Sequence, residues 1–162
     1  MALSLQDKKN IVSEVKQAAK STLSAVIANF CGISSIEMTN LRKKARKNNV
    51  NLYVIKNTLI IKIIKNTQFK SLKKSCKGQS IIAFSNIHPG SAARILKEFS
   101  ENNKKFKIKG ASFKGKFISS SKISYLVNLP TQEEALIKFI WSIKDASTGK
   151  LIRSLSSITN IN

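Results

Sequence analysis

Met38-Thr-Asn-Leu-Arg-Lys-Lys-Ala-Arg-Lys-Asn-Asn-Val-Asn-Leu-Tyr-Val-Ile-Lys-Asn-Thr-Leu59 reads as a basic amphipathic helix, a short buried strand and a polar corner opening another helix. At 100° per residue, Met38, Leu41 and Ala45 share one narrow face, and Arg42, Lys43, Lys44, Arg46 and Lys47 occupy the rest. A helix held by three apolar residues and cationic elsewhere is built to face an anion. From Met38 to Lys97 there are 14 basic residues and no acidic one, so nothing close in sequence neutralises it. A strand placed straight after the helix, Val50 to Ile55, predicts that the helix lies on a sheet.

Upstream, Ser4 with Asp7 forms a capping-box-like start to a helix reaching about Lys20, with Ile11, Val12, Val15, Ala18 and Ala19 inward. Thr22 to Phe30 is apolar enough at its centre for an interior strand. Cys31-Gly32 turns the chain, and Ser34-Ser-Ile-Glu37 is a capping box opening the basic helix. Asn48-Asn49 ends that helix, both residues tolerating the left-handed conformation.

Downstream, Asn57 is predicted to cap a helix with Leu59, Ile60, Ile63 and Ile64 inside. A basic loop follows, with one helical turn around Phe69 and Leu72, and then a strand over Gln79 to Ser85. His88-Pro89-Gly90 opens a helix buried through Ala92, Ala93, Leu96 and Phe99. Lys105 to Lys109 alternates strictly, marking a strand with one wet cationic face. Gly110 and Gly115 bracket a continuation or bend into Phe117-Ile118, before a short helix carrying Ile123, Leu126 and Val127. This alternation predicts an α/β chain, an α+β sandwich of helices flanking a mixed sheet, with a C-terminal helical extension.

Leu129-Pro130 breaks the pattern, giving predicted domains at 1–130 and 131–162. Thr131-Gln-Glu-Glu134 is another capping box, followed by Leu136, Phe139, Ile140 and Ile143 at helical spacing. Gly149 punctuates, and Leu151, Ile152, Leu155 and Ile158 continue the apolar stripe, which either packs back on the body or, following a Leu-Pro boundary, is offered to another protein.

The formal charge of +21 calls for a polyanion. The excess of Lys, Asn and Ile is also what an AT-rich genome yields by drift, so its distribution carries more than its total. Residues 1–130 hold 25 basic and 5 acidic residues, net +20; residues 131–162 hold 4 and 3, net +1. A basic body and a near-neutral tail imply two different partners. Catalysis has little to stand on: the only histidine, His88, precedes a proline, and no nucleophile elbow, phosphate-binding glycine loop or paired carboxylates occur in the body. Cys31 and Cys76 stand apart, suggesting neither zinc nor a disulfide framework, and no cofactor is expected. No apolar run is long enough to span a membrane, and no Trp or Phe accompanies the basic helix, so no membrane partner is expected. The first residues lack signal-peptide or transit features, which predicts a cytoplasmic protein. The strand between the two helices disfavours a helix-turn-helix, and a broad basic face suits structured RNA better than a DNA major groove.

Six blocks carry a resemblance. They are Met1-Ala-Leu-Ser-Leu-Gln-Asp-Lys8, Gly32 with Met38-Thr-x-Leu-Arg42, Val54-Ile-Lys-Asn-Thr-Leu59, His88-Pro-Gly-Ser-Ala-Ala-Arg94, Leu129-Pro-Thr-x-Glu-Glu-Ala135 and Ala146-Ser-x-Gly-Lys-Leu151. In this order they resemble the bacterial large-subunit ribosomal stalk-base family, the tenth protein of that subunit, over nearly the whole chain. The resemblance implies a ferredoxin-like sandwich in the large subunit of the cytoplasmic ribosome, without enzymatic activity. Its partners would be large-subunit ribosomal RNA, a neighbouring stalk-base protein, and acidic stalk protein dimers that recruit translational GTPases indirectly. Carried over, the RNA contacts fall on Arg42, Arg46, Lys56, Asn57 and Thr58, with Lys8 and Lys9 nearby and Lys43 and Lys47 on the same helix. The stalk contacts fall on Leu136, Phe139, Ile140, Ile143, Leu151, Leu155 and Ile158. Some family members repress translation of their own messenger RNA, and a basic RNA-binding regulator outside the ribosome is the alternative reading.

Overall fold

The computed structural model describes residues 4–65 and 67–146. The chain divides into two units, Met1–Leu129 and Pro130–Asn162. Helix α1 (Leu5–Ser21) leads into β1 (Ser24–Asn29), α2 (Ser35–Lys47) into β2 (Val50–Val54), and α3 (Asn57–Lys65) through a 3-10 turn (Lys70–Ser75) into β3 (Ile81–Ser85). Helix α4 (Ser91–Asn102), the hairpin β4 (Lys107–Phe113) and β5 (Lys116–Ser119), and the short α5 (Ile123–Val127) complete the first unit. Helix α6 (Gln132–Lys144) belongs to the second.

The expected α+β sandwich is present, but its sheet is not mixed. The strand order is β2-β3-β1-β4-β5, and every neighbouring pair is antiparallel. Helix crossovers suggest parallel neighbours. Here α2 does make β2 parallel to β1, but β3 enters between them antiparallel to both. The same split arrangement recurs where α4 joins β3 to β4 on either side of β1.

Two apolar layers follow from strand alternation. Val26 and Ala28 of β1 and Ile81 and Ala83 of β3 meet α2, α4 and α5 through Leu41, Ala45, Ala92, Ala93, Leu96, Ile123 and Leu126. On the other face Ala25, Ile27, Ile82 and Phe84 meet Val15, Ala19, Ile60, Ile63, Ile64, Phe69 and Leu72. Each fully buried Leu, Ile or Phe contributes about 1.5–3 kcal/mol. The single helical turn expected around Phe69 and Leu72 thus closes the second layer.

Polar groups lock the joints. Ser24 Oγ donates to Pro89 O at 2.7 Å, Ser85 Oγ to His88 O, and Gly90 N–H to His88 Nδ1 at 3.0 Å. His88 is therefore a turn residue, as its proline neighbour suggests, and the N-cap of α4 is Gly90. A Cβ on Gly90 would stand 2.6 Å from the Leu126 carbonyl oxygen, so the glycine permits α4 to abut α5. Arg94 donates to Val127 O at 2.8 Å and Leu129 O at 2.7 Å, pinning the last residues of the first unit.

The hairpin departs most from the sequence pattern. The expected strand over Lys105–Lys109 begins only at Lys107, and the β1–β4 register shifts so that Lys109 is an extra residue. Lys114 and Gly115, at φ +48° and +78°, turn the chain tightly into β5.

Both cysteines are free, Cys31 exposed and Cys76 buried. Burial pushes the Cys76 thiol pKa up, and the neighbouring Lys109 partly offsets this. Because the thiolate is the nucleophile, iodoacetamide at neutral pH is expected to label Cys31 and spare Cys76 until denaturant is added. Equal labelling in the native protein would contradict the packing of the 3-10 turn against the sheet.

Candidate nucleic-acid interface

The basic helix starts where the capping box predicts, with Ser34 N–H donating to Glu37 Oε2 at 2.9 Å. Leu41 and Ala45 are buried and Met38 packs against the same layer, which fixes the rotation of α2. Helical geometry then sorts the cations onto three flanks. Arg42 and Arg46 line a groove of about 290 Å³ against Val50 to Tyr53 of β2, an outer strand of the sheet. Lys43 and Lys47 are exposed on the outward flank. Lys44 faces α4 and pairs with Glu98 at 2.7 Å.

That pair corrects the picture of an unneutralised helix. A carboxylate 54 residues away reaches one flank, while Arg42, Lys43, Arg46 and Lys47 have no ion-pair partner among the described residues. Both ends of the Lys44–Glu98 bridge are more than half exposed, so it contributes little stability. Tyr53 lines the groove and stacks edge-on to Phe84 at 6.0 Å. Burial, with Glu14 adding to it, raises its pKa and keeps its hydroxyl protonated.

The polar corner lies past the end of β2. Lys56, not Asn57, holds the N-cap position of α3, since its carbonyl accepts from Leu59 N–H and Ile60 N–H. Asn57 is drawn elsewhere: its Nδ2 donates to Gly78 O at 2.5 Å. Lys56 and Thr58 are exposed beside it. Lys56 and Asn57 share a shallow pocket with Phe30, Gly78, Gln79 and Ser80. Because α2 runs back over β2, the order Arg46, Arg42, then the corner follows one edge of the sheet, with Val50 to Lys56 spanning about 20 Å at strand rise.

Lys8 and Lys9 are exposed on the first turns of α1, in the layer with α3, and line neither the groove nor the corner pocket. Two cations that sequence reasoning did not single out lie near the corner. Lys77 precedes Gly78 and is exposed; Lys107 is exposed at the start of β4, opposite Asn29 at the end of β1. Their signals were the basic loop and the alternating strand. Lys109, by contrast, is consumed. It donates to Lys77 O, Ser80 Oγ (3.1 Å) and Gln79 O (3.4 Å), and burial lowers its pKa.

Helix α6 has a full capping box: Glu134 N–H donates to Thr131 Oγ1 at 3.2 Å and Thr131 N–H to Glu134 Oε2 at 3.1 Å. None of its residues is buried. Leu136, Phe139, Ile140 and Ile143 are exposed, and so are Ile137 and Trp141, a second pair at i, i+4 that widens the apolar arc to about 200°. Leu151, Leu155 and Ile158 lie outside the described residues. No described helix is long and apolar enough to cross a membrane.

A family model for ribosomal protein L10 matches residues 4–101. The large ribosomal subunit protein uL10 of Shewanella piezotolerans is 48% identical over 158 residues, covering 98% of this chain and 96% of its own. Those of Tolumonas auensis, at 48%, and Glaesserella parasuis, at 46%, each cover 98% of this chain and 95% of their own. Matched along nearly its whole length, the chain thus belongs to the ribosomal protein L10 family, structural constituents of the large ribosomal subunit and not enzymes.

Proposed function

We propose that the first unit binds large-subunit ribosomal RNA along the α2–β2 edge and the Lys56-Asn57-Thr58 corner, and that α6 anchors dimers of a small acidic stalk protein. The observation that carries the RNA reading is the flank of Arg42 and Arg46, cationic, exposed and without carboxylate partners among the described residues. Arginine supplies a planar fork for phosphate oxygens, and the exposed Lys43, Lys47, Lys56, Lys8 and Lys9 add point charge around it. Thr58, and the amide hydrogen of Asn57 that is not given to Gly78 O, bring neutral donors to a helix N-terminus, where the dipole favours phosphate. The reading of α6 rests on its broad exposed apolar arc. Bound stalk dimers would in turn draw in translational GTPases, while the first unit sits beside a neighbouring stalk-base protein.

The test is co-purification. The tagged full-length chain, isolated from its own cells, should bring down large-subunit RNA together with a small acidic protein. A basic regulator outside the ribosome would bring down neither as a set, and that outcome would overturn the reading.

A further inference from the structure

At the opposite edge of the sheet from the α2–β2 groove, β5 and α5 enclose a second groove of about 730 Å³. Its walls are Phe113, Phe117, Ile118 and Tyr125. Phe117 and Tyr125 are 45% and 69% exposed, and they are the only exposed aromatic side chains among the described residues of the first unit. Both line this one groove. Its remaining lining is Lys114, Lys116 and Lys122 with the hydroxyls of Ser121 and Ser124, and no carboxylate. Lys114 Nζ lies 5.6 Å from the Phe113 ring centroid.

We propose that this groove is a second nucleic-acid site, which takes unstacked bases of single-stranded RNA on Phe117 and Tyr125 and their phosphates on Lys114, Lys116 and Lys122. Exposed rings next to cations are what base stacking with backbone neutralisation requires. Charge complementarity selects the occupant: three ammonium groups without a counter-charge suit a polyanion whose non-charged parts are flat and apolar. A peptide strand added to the edge is less well served, because β5 has four residues between a tight turn and a 3-10 turn. The site is held open by local structure. A Cβ on Gly110 would fall 2.7 Å from the Phe117 ring, so the glycine gives the ring its place over β4.

This inference extends the RNA-binding reading but depends on different residues, and two probes separate them. The full-length chain is titrated with a labelled oligouridylate and, separately, with a folded stalk-base fragment of large-subunit RNA. Tyr125→Ala should weaken oligouridylate binding about tenfold, Tyr125→Phe should restore it, and Lys122→Gln should weaken it and flatten its salt dependence. Tyr125 is largely exposed, so its loss leaves the core intact. Oligouridylate binding that is absent, or unchanged by Tyr125→Ala, overturns the groove site whether or not the folded fragment binds. Should the folded fragment fail to bind while the Tyr125 effect stands, the α2–β2 reading falls and the groove survives.

Discussion

Replacing Phe139 and Ile140 of α6 by serine is expected to abolish capture of the acidic stalk partner while leaving RNA binding by the first unit unchanged. Both side chains are more than 60% exposed, so the free chain loses no core packing when they go. In a complex the same groups would be buried. Truncating a central aromatic anchor typically costs about 2 kcal/mol or more, and the aliphatic neighbour adds the area it covers. Two such losses lower the affinity by several hundredfold or more, at about 1.4 kcal/mol per factor of ten. Trp141→Ala separates two modes of contact. A partner gripping only the stripe of Leu136, Phe139, Ile140 and Ile143 would ignore it, whereas one wrapping the wider arc would bind at least tenfold more weakly. Stalk capture that survives the double serine variant, measured by pull-down with helicity checked by circular dichroism, would remove α6 from the anchoring role.

The stripe on α6 is legible in the sequence because helical spacing is local; the width of the arc, to which Ile137 and Trp141 add at the same four-residue interval, depends on the helix being uncovered on both flanks. The same division runs through the first unit. Alternation within β1 and β3 and the periodicity of α2 and α4 reveal which side chains turn inward, since each depends on neighbours a few residues away. Strand order does not follow from alternation. That β3 lies between β1 and β2 is a pairing of strands far apart in the chain, and a mixed sheet satisfies the same alternation. Lys44 and Glu98 meet across 54 residues, and Lys109 is turned to the Lys77–Ser80 loop by a bulge. Neither pairing leaves a mark in local composition. The β5–α5 groove is likewise invisible until the hairpin closes, because Phe117 and Tyr125 are single aromatics in otherwise ordinary segments.

For the α2–β2 edge, Arg42→Ala combined with Arg46→Ala is expected to weaken binding of the folded stalk-base RNA about a hundredfold or more. Charge-assisted hydrogen bonds contribute about 1.5–3 kcal/mol each, and two arginines on one groove lose at least one apiece. Folding should be unaffected, as both side chains are exposed and only Leu41 and Ala45 of this helix are buried. The diagnostic is salt dependence. Each phosphate contact removed should reduce the slope of log K against log salt by about one, so the double variant should be shallower by about two. Lys44→Ala supplies the contrast. Its ammonium already faces Glu98, so removing it takes away a surface bridge and should shift the slope by less than either arginine. If Lys44→Ala and the arginine pair flatten the slope equally per charge removed, the RNA senses only the overall positive field and not a defined edge. A loss confined to the arginines would instead place phosphate in the groove between α2 and β2.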